Sequence, residues 1–329
     1  MTDTSKQRAG MRGFDDEFVD LPDYIRVITD RIWEGRRIDD IHRYYSDPCI
    51  VETPLGVSTT VSDVIAGTQA TLKMFPDRRL LAEDIIVSGD DSAGYLSSHR
   101  IISPMTHSGD GSFGAASGKR VHARTIADCV CKDNRIIHEW LVRDHAAIAY
   151  AIGSTPRALA ARWLAERGGW NKPVAGAAPK GYVSDISSSP TAARYATAIQ
   201  QFAAQQHDVV GIGDTYDEAV HQIAPGETHH YGHAELTAFW AALFSAFEVG
   251  NLQVEHLAEN TSTDRGTRVA MRWRAVARHV ANGETGQRFG AATGRNVEIM
   301  GINHADVVDG KVLREWVLVD EVALWMQVL

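Results

Sequence analysis

The chain has 329 residues, of which 44% are hydrophobic and 23% charged, and this composition excludes disordered, collagen-like and membrane-embedded classes of protein. Acidic residues outnumber basic ones by 42 to 33, so the formal charge of −9 predicts no nucleic-acid partner and no anionic membrane surface. The length favours two domains, and three cysteines without a signal-like or long apolar segment predict a cytoplasmic protein of a reducing compartment.

Helices open the first predicted domain, residues 20–152, which follows an N-terminal tail of residues 1–19. Apolar spacing predicts helices over residues 23–33, 39–45 and 60–74, with a short strand at 49–52 between the last two. Four strand-like runs follow at 80–88, 94–102, 120–131 and 135–144, and a short helix closes the domain at 146–152. Helices followed by antiparallel strands predict an α+β fold, in which a curved sheet covered by helices encloses a cone-shaped pocket.

Residues 153–190 are predicted to connect two domains. Thr155 as a cap and Pro156 in the first turn begin a helix that ends at Gly168. Residues 171–190 are rich in Ala, Gly, Pro and Ser, which predicts a linker. Its length allows the domains on either side to pack against each other.

The second predicted domain, residues 191–329, repeats the first. Residues 113–144 and 289–320 align without a gap and share 11 identities in 32 positions. The earlier parts align at an offset of 172, which pairs Tyr44 with Tyr216 and Phe75 with Phe247. We therefore predict two tandem copies of one fold that form an intramolecular pseudo-dimer, and further homo-oligomerisation stays open.

The element order and one sequence phrase resemble the SnoaL-like polyketide cyclases of the nuclear-transport-factor-2-like superfamily. The phrase runs from Gly118-Lys-Arg-Val121 to Glu139-Trp140 and Asp144, and again from Gly294-Arg-Asn-Val297 to Glu315-Trp316 and Asp320. The resemblance implies two cone-shaped α+β barrels, each a curved, mostly antiparallel sheet covered by helices, of the cystatin-like type. That superfamily includes isomerases, dehydratases, cyclases, epoxide hydrolases and non-catalytic binding domains.

Candidate pocket residues follow from the period of two along the last strand of each copy. His138, Trp140 and Asp144 share one face, as do Trp316 and Asp320, and we assign this face to the pocket. Large aromatic residues on such a face either fill the core or form a ligand wall. The two aspartates either act as buried bases or cap the helices that follow them.

The partners of these aspartates depend on the turn before the last strand. A two-residue turn at residues 309–310 sets Asn303 opposite Trp316, whereas a three-residue turn with a glycine bulge sets Ile302 there. The resemblance implies an Asp on the last strand that works with a nearby His, which favours the bulged form. In that form Asp320 pairs with His304, and the equivalent residues of the first copy are Asp144 with His122 and Asp128.

Three further residues complete the candidate set. The Tyr44-Tyr45 pair resembles the tyrosines with which scytalone dehydratase holds an enolising carbonyl, and otherwise it is an ordinary aromatic pair at a helix end. His99 and His107 either line the pocket or its rim, or are structural, whereas His138 is a candidate through the strand face that it shares with Trp140. Tyr44, His99 and His138 therefore join Trp140 and Trp316 as candidate pocket residues.

Histidines are dense at residues 227–233, where His229, His230 and His233 occur. On a helix, His229 and His233 would lie on one side and could hold a divalent metal with His221 or Glu227 as a third ligand. The alternative is a solvated helix entry. We expect no metal and no cofactor, because no nucleotide loop or strong metal motif occurs.

The leading hypothesis is a cofactor-free lyase, isomerase or cyclase that acts on a small hydrophobic or aromatic carbonyl or hydroxyl compound. Asp144 would be the base, with His122 and Asp128 as its partners and Trp140 as an apolar wall; the first copy is favoured because its acid and base set is richer. One alternative is a non-catalytic small-molecule-binding or assembly protein. Another is epoxide hydrolysis with Arg124, Asp128 and Asp144.

Overall fold

The structure is a computed structural model that describes residues 11–174, 189–205 and 211–329. Residues 1–10 of the predicted tail and 175–188 of the predicted linker lie outside the described residues. The first copy consists of helices followed by strands. Its elements are α1 Leu21–Thr29, α2 Ile41–Tyr44, β1 Tyr45–Thr53, β2 Gly56–Ser58, α3 Val61–Met74, β3 Leu81–Asp90, β4 Gly94–Thr106, β5 Arg120–Lys132, β6 Arg135–Arg143, α4 His145–Ile152 and α5 Pro156–Arg167.

The second copy has the same order of elements, without a counterpart of α5 in the described residues. They are α6 Pro190–Gln205, α7 Ile212–Thr215, β7 Tyr216–Ala224, β8 Thr228–Tyr231, α8 Gly232–Ala246, β9 Phe247–Ser262, β10 Gly266–His279, β11 Asn296–Val308, β12 Lys311–Val319 and α9 Glu321–Val328. Within the described ranges, none of the helices combines the length and hydrophobicity needed to span a membrane.

Each copy contains one six-stranded sheet that is antiparallel except at one pair of strands. The strand orders are β2-β1-β6-β5-β4-β3 and β8-β7-β12-β11-β10-β9, with β1 parallel to β6 and β7 parallel to β12. The identical orders confirm the predicted pair of tandem, mostly antiparallel α+β cones.

Polar side chains begin the helices that the sequence predicts. Thr60 caps α3 and Thr155 caps α5, each by accepting a backbone N–H of the first turn. The helix predicted from Thr155 through Pro156 to Gly168 is confirmed, because α5 has Pro in its first turn and ends at a glycine in the left-handed region.

The largest difference from the predicted elements lies at Tyr45. The prediction places residues 39–45 in a helix, but α2 ends at Tyr44 and β1 begins at Tyr45, opposite Ile136 of β6. In the second copy Tyr216 lies opposite Val312 in the same way. The structural counterpart of Tyr216 is therefore Tyr45, and the predicted pairing of Tyr44 with Tyr216 is wrong by one residue.

The two copies pack sheet against sheet, in the predicted pseudo-dimer arrangement. A cluster of buried apolar side chains lies between the sheets; it contains Leu96, Ile126, Val130, Trp140, Val142, Met300, Ile302 and Leu318. Arg272 of the second copy lies 3.6 Å from the ring centroid of Trp140, and Arg100 of the first lies 3.5 Å from that of Trp316. One face of each sheet is thus buried against the other copy, which leaves the opposite face for the helices.

Candidate active site

A cavity of about 500 Å³ lies in the first copy, on the face of the sheet that is turned away from the second copy. Its walls come from α1, from α3 and from the inner face of β4, β5 and β6. Apolar lining residues include Ile25, Ile28, Trp33, Val64, Ile101, Ala127, Ile136 and Leu141. A volume of this size accommodates a small organic ligand.

Small residues on α3 keep this cavity open, and large residues close the corresponding space in the second copy. At the repeat offset of 172, Thr68 corresponds to Trp240, which is fully buried. Ile101 likewise corresponds to Trp273, also fully buried. Gly301 makes room for that indole, since a Cβ at residue 301 would lie 2.2 Å from the Trp273 ring. The second cone is therefore filled by its own side chains.

Glu139 on β6 is the carboxylic acid at the centre of the first cavity. Its side chain lines the cavity, and the residue is only 6% exposed. Burial raises the pKa of Glu139 to about 7, although the Tyr45 hydroxyl and the charge of Arg143 oppose the rise. A carboxyl group with this pKa exists in both protonation states near neutral pH, as general acid–base catalysis requires.

Tyr45 fixes one oxygen of this carboxyl group. Its hydroxyl donates to Oε2 of Glu139 over 3.0 Å, because β1 begins at Tyr45 and runs beside β6. Among the described residues, no hydrogen bond to Oε1 of Glu139 is present. One oxygen is thus held in place while the other stays available to a ligand.

Glu315 is the equivalent acid of the second copy, and hydrogen bonds occupy both oxygens of its carboxyl group. Glu315 is fully buried, and its Oε1 accepts from the hydroxyls of Tyr195 and Tyr216 over 2.6 and 2.9 Å. Gln222 donates to Oε2 over 2.7 Å. The same strand position therefore holds a fully hydrogen-bonded structural carboxyl group in one copy and a cavity-facing one in the other.

Two histidines add to the polar lining of the cavity. His99 is 3% exposed, burial lowers its pKa to about 3, and its Nε2 has no hydrogen-bond partner in the described structure. His145 lies beside the cavity, with Nδ1 2.6 Å from Oδ2 of Asp320. The second copy thus contributes Asp320 to a cavity that otherwise belongs to the first.

Of the ten residues that the sequence nominates, His99 and Asp320 line this cavity. Asp320 also caps α9, since its Oδ1 accepts the backbone N–H groups of Val322 and Ala323. Tyr44 lies in the apolar core of the first copy, where its hydroxyl accepts from Arg31 over 2.8 Å.

The predicted pocket face of the last strand is wrong. His138 and Trp140 are buried against the second copy, and their rings stack with centroids 4.0 Å apart. Nε2 of His138 lies 2.8 Å from Oε1 of Glu52. Trp316 lies on the equivalent face of the second copy, beneath Arg100. The cavity is instead lined by the alternate residues of β6, which include Glu139.

The register before the last strand follows neither predicted form. The turn has two residues, but a bulge in β12 places His304 opposite Trp316, and a matching bulge in β6 places Asp128 opposite Trp140. The predicted pairing of His304 with Asp320 is wrong, because Nε2 of His304 lies 2.8 Å from Oγ of Ser98 in the first copy, whereas Asp320 contacts His145. His304 therefore belongs to the contact between the copies.

The predicted grouping of Asp144 with His122 and Asp128 is also wrong. Asp144 caps α4, and its carboxylate accepts backbone N–H groups of Ala147, Gly226 and Glu227. Burial raises the pKa of Asp144 to about 7 against these donors. His122 is exposed on β5, opposite Pro104 of β4.

Asp128 lies in a buried polar cluster between the copies. Its Oδ2 accepts from Arg272 over 2.7 Å and lies 3.0 Å from Nδ1 of His256. Arg124, the third residue considered for epoxide hydrolysis, forms ion pairs with Glu83 and Glu227 instead. Arg124, Asp128 and Asp144 therefore do not form one site.

The dense histidines of the second copy do not lie on one helix face. His229 is on β8, whereas His233 lies in α8, which begins at Gly232. Nδ1 of His229 lies 2.8 Å from Nε2 of His221, and Nε2 of His233 is 3.1 Å from the carbonyl oxygen of Tyr216. Across residues 11–174, 189–205 and 211–329, no three His, Cys, Asp or Glu side chains form a metal-binding group.

Comparison with solved structures finds proteins that are similar to part of this chain. IdmH from Streptomyces antibioticus is 18% identical and covers 40% of this chain and 97% of its own, with a TM-score of 0.35. A SnoaL-like polyketide cyclase from Agrobacterium tumefaciens is 20% identical over 40% of this chain and 98% of its own, with a TM-score of 0.33. TsrD from Streptomyces laurentii is 17% identical over 41% of this chain and 95% of its own, with a TM-score of 0.35.

No curated protein matches the sequence. The model of the SnoaL-like polyketide cyclase family matches twice, at residues 25–152 and at residues 193–328. These two regions correspond to the two sheets with their helices, and together they cover more than half of the chain. The chain therefore belongs to the SnoaL-like polyketide cyclase family, of which it contains two tandem copies.

Proposed function

We propose that the first copy is a cofactor-free acid–base enzyme of the cyclase, isomerase or lyase type, with Glu139 as its base. The substrate is an apolar or aromatic carbonyl compound held in the cavity. Membership of the family supports this class of reaction. The observation that carries the proposal is the carboxyl group of Glu139, buried in a cavity with a pKa of about 7.

The first step is removal of a proton from the carbon beside the carbonyl group. Oε1 of Glu139 takes the proton, the electron pair of the broken C–H bond forms a C=C bond, and the π electrons of the carbonyl group move to its oxygen to give an enolate. Neutral His99, in the tautomer that carries a proton on Nε2, donates a hydrogen bond to that oxygen. The enolate then regains the proton from Glu139 at another carbon, or it attacks a second carbonyl carbon, and the oxygen of that carbonyl group takes the proton from Glu139.

His145 is the second candidate for proton transfer. Asp320 accepts a hydrogen bond from Nδ1 of His145, which orients the imidazole at the cavity wall and leaves Nε2 for the ligand. Asp320 is a positioning residue in this scheme. The second copy would then serve the first as a structural half that supplies this carboxylate, while its own cone is filled.

Filling the first cavity tests this assignment. Thr68→Trp introduces the residue that Trp240 provides in the second copy, and we expect proton exchange to fall to the rate without enzyme. The matched control is Gln69→Trp, an exposed position on the same helix, which is expected to retain exchange. The measurement is deuterium incorporation beside the carbonyl of aromatic ketones and diketones in D₂O, followed by NMR. Undiminished exchange in a folded Thr68→Trp variant would rule the cavity out.

Asp144 is the alternative candidate for the base, and its replacement tests this alternative. Asp144→Ala removes a helix cap at Ala147 and the contacts with two further backbone N–H groups, and we expect it to lower the free energy of unfolding by about 2 kcal/mol. Proton exchange by the folded variant is expected to stay at the level of the original protein, because Asp144 does not line the cavity. Urea unfolding and the exchange assay measure the two effects. Exchange that is lost at full stability would restore Asp144 as the base.

A further inference from the structure

The cavity wall contains one buried and one half-buried arginine that have no anionic partner in the described part of the chain. Arg78 is only 6% exposed, and Arg143 is half-buried at the end of β6; both line the cavity. Within the described residues, neither guanidinium group donates a hydrogen bond or forms an ion pair. Nε of Arg143 is fully buried without a partner. Buried arginines are normally paired, so this arrangement calls for an explanation.

The charged surroundings do not supply the missing partner. Asp320 and Glu139 are the carboxylates that act on Arg143, and both lie beyond ion-pair distance. Arg78 is affected by the like charges of Arg143 and Arg36 and by the carboxylate of Glu34, which forms its ion pair with Arg79 instead. Burial and these like charges lower the pKa of Arg78 to about 9, which still leaves the group charged at neutral pH. Two positively charged side chains thus line one largely apolar cavity.

The second copy contains neither arginine. At the repeat offsets, Arg78 corresponds to Gly250 and Arg143 corresponds to Val319. The same fold therefore forms without these charges when its cone is filled. The arginines occur only where the cavity is open, and this ties them to the content of the cavity rather than to the stability of the sheet.

We propose that the first cavity binds a carboxylate group of its ligand between Arg78 and Arg143. The ligand is then an apolar or aromatic molecule with one carboxylate, whose remaining surface contacts the apolar walls. A carboxylate satisfies two guanidinium groups at once through charge-assisted hydrogen bonds. This inference names the substrate class of the proposed function and rests on it for the chemistry at Glu139, while binding itself needs no turnover.

Matched probes test the inference by calorimetry on the full chain. The probes are 2-naphthoate, 2-naphthamide and 2-naphthalenemethanol, which share one ring system and differ in charge. We expect the carboxylate to bind at least about tenfold more tightly than either neutral probe. Arg78→Gln and Arg143→Gln are each expected to remove about tenfold or more of the carboxylate affinity and to leave the alcohol affinity within about twofold.

Arg167→Gln is the control. Arg167 lies at the exposed rim of the same cavity, and its replacement removes the same positive charge as the other two glutamine variants do. Arg167→Gln is expected to keep the full preference for the carboxylate probe. Arg143→Lys is expected to keep part of that preference, because it retains the positive charge. Equal affinity of the original protein for charged and neutral probes would overturn the inference without any variant. The inference would also be overturned if Arg78→Gln and Arg143→Gln both still bound the carboxylate probe more tightly than the neutral probes. Carboxylate binding without proton exchange in any substrate would instead leave the inference standing and remove the proposed function.

Discussion

Replacement of Glu139 by glutamine is expected to abolish proton exchange and, at the same time, to stabilise the fold at pH 8. Loss of a general base lowers the rate by about 10²–10⁴-fold. Glutamine keeps the shape of the side chain and can still accept the hydrogen bond of the Tyr45 hydroxyl. The variant therefore separates the chemistry of the carboxyl group from its packing.

The stability effect depends on pH because burial raises the pKa of Glu139 from an ordinary 4.5 to about 7 in the folded protein. Below pH 4.5 Glu139 is protonated in both the folded and the unfolded protein, so its raised pKa does not change the free energy of unfolding. Between pH 4.5 and about 7 the unfolded chain releases the proton more readily, so stability is lost, and above pH 7 the loss stays near 3 kcal/mol. The Glu139→Gln variant is therefore expected to have a higher free energy of unfolding than the original protein at pH 8 and the same free energy of unfolding at pH 4.

Urea unfolding at pH 4 and pH 8 and the exchange assay together measure these effects. The matched control is Glu315→Gln, at the same strand position of the second copy, which is expected to retain exchange because its carboxyl group is enclosed by Tyr195, Tyr216 and Gln222. Full exchange by the Glu139 variant would exclude the proposed base. Equal loss in both variants would show that exchange reports on folding rather than on the site.

Replacement of Arg272 by methionine is expected to lower the free energy of unfolding by about 3–5 kcal/mol. The Arg272 side chain is 1% exposed; it donates to Asp128 and Glu255 and covers the ring of Trp140. Burial alone would raise the pKa of Asp128, but His256 and Arg272 hold it at about 2. Without the arginine, a carboxylate stays buried between the copies with part of its compensation removed.

Arg278→Met is the control for this prediction. Arg278 forms an exposed ion pair with Glu248 on the same sheet, and its loss is expected to cost under about 1 kcal/mol. Adding Asp128→Asn to the Arg272 variant is expected to recover part of the lost stability, since the uncompensated charge is then gone. Chemical denaturation of the four proteins measures the differences. Equal costs for the two arginine variants would mean that the buried cluster contributes no more than a surface pair.

The repeat and the order of elements could be predicted because they depend on local patterns. Apolar spacing, capping residues and turn residues are local, so helices, strands and the boundary at Thr155 lie close to their predicted places. The family resemblance rests on the same local phrases, which occur in both copies. Tyr45 was missed because helical spacing continues through it, and only its pairing with Ile136 across the sheet makes it a strand residue.

The site could not be predicted because a period of two groups residues by face without telling which face is inside. In most half-buried strands the apolar face points to the core, which favours the face of Trp140. Here both faces of β6 are buried, one against the second copy and one against the cavity. A signal was present: Glu139 and Arg143 share one face with Leu141, and the other face carries the apolar residues Trp140 and Val142, which is typical of a sheet that is covered on both sides.

Both copies lie in one chain, and Asp320 of the second copy contributes to the cavity of the first. The two copies can therefore acquire different substitutions. In a dimer of identical chains, every substitution occurs in both subunits, so a filled cone would close both cavities. A single polypeptide with two copies is free of this constraint: Trp240 can close one cone while Thr68 leaves the other open. The symmetry of the fold is kept, although only one of its halves encloses a cavity of this size among the described residues.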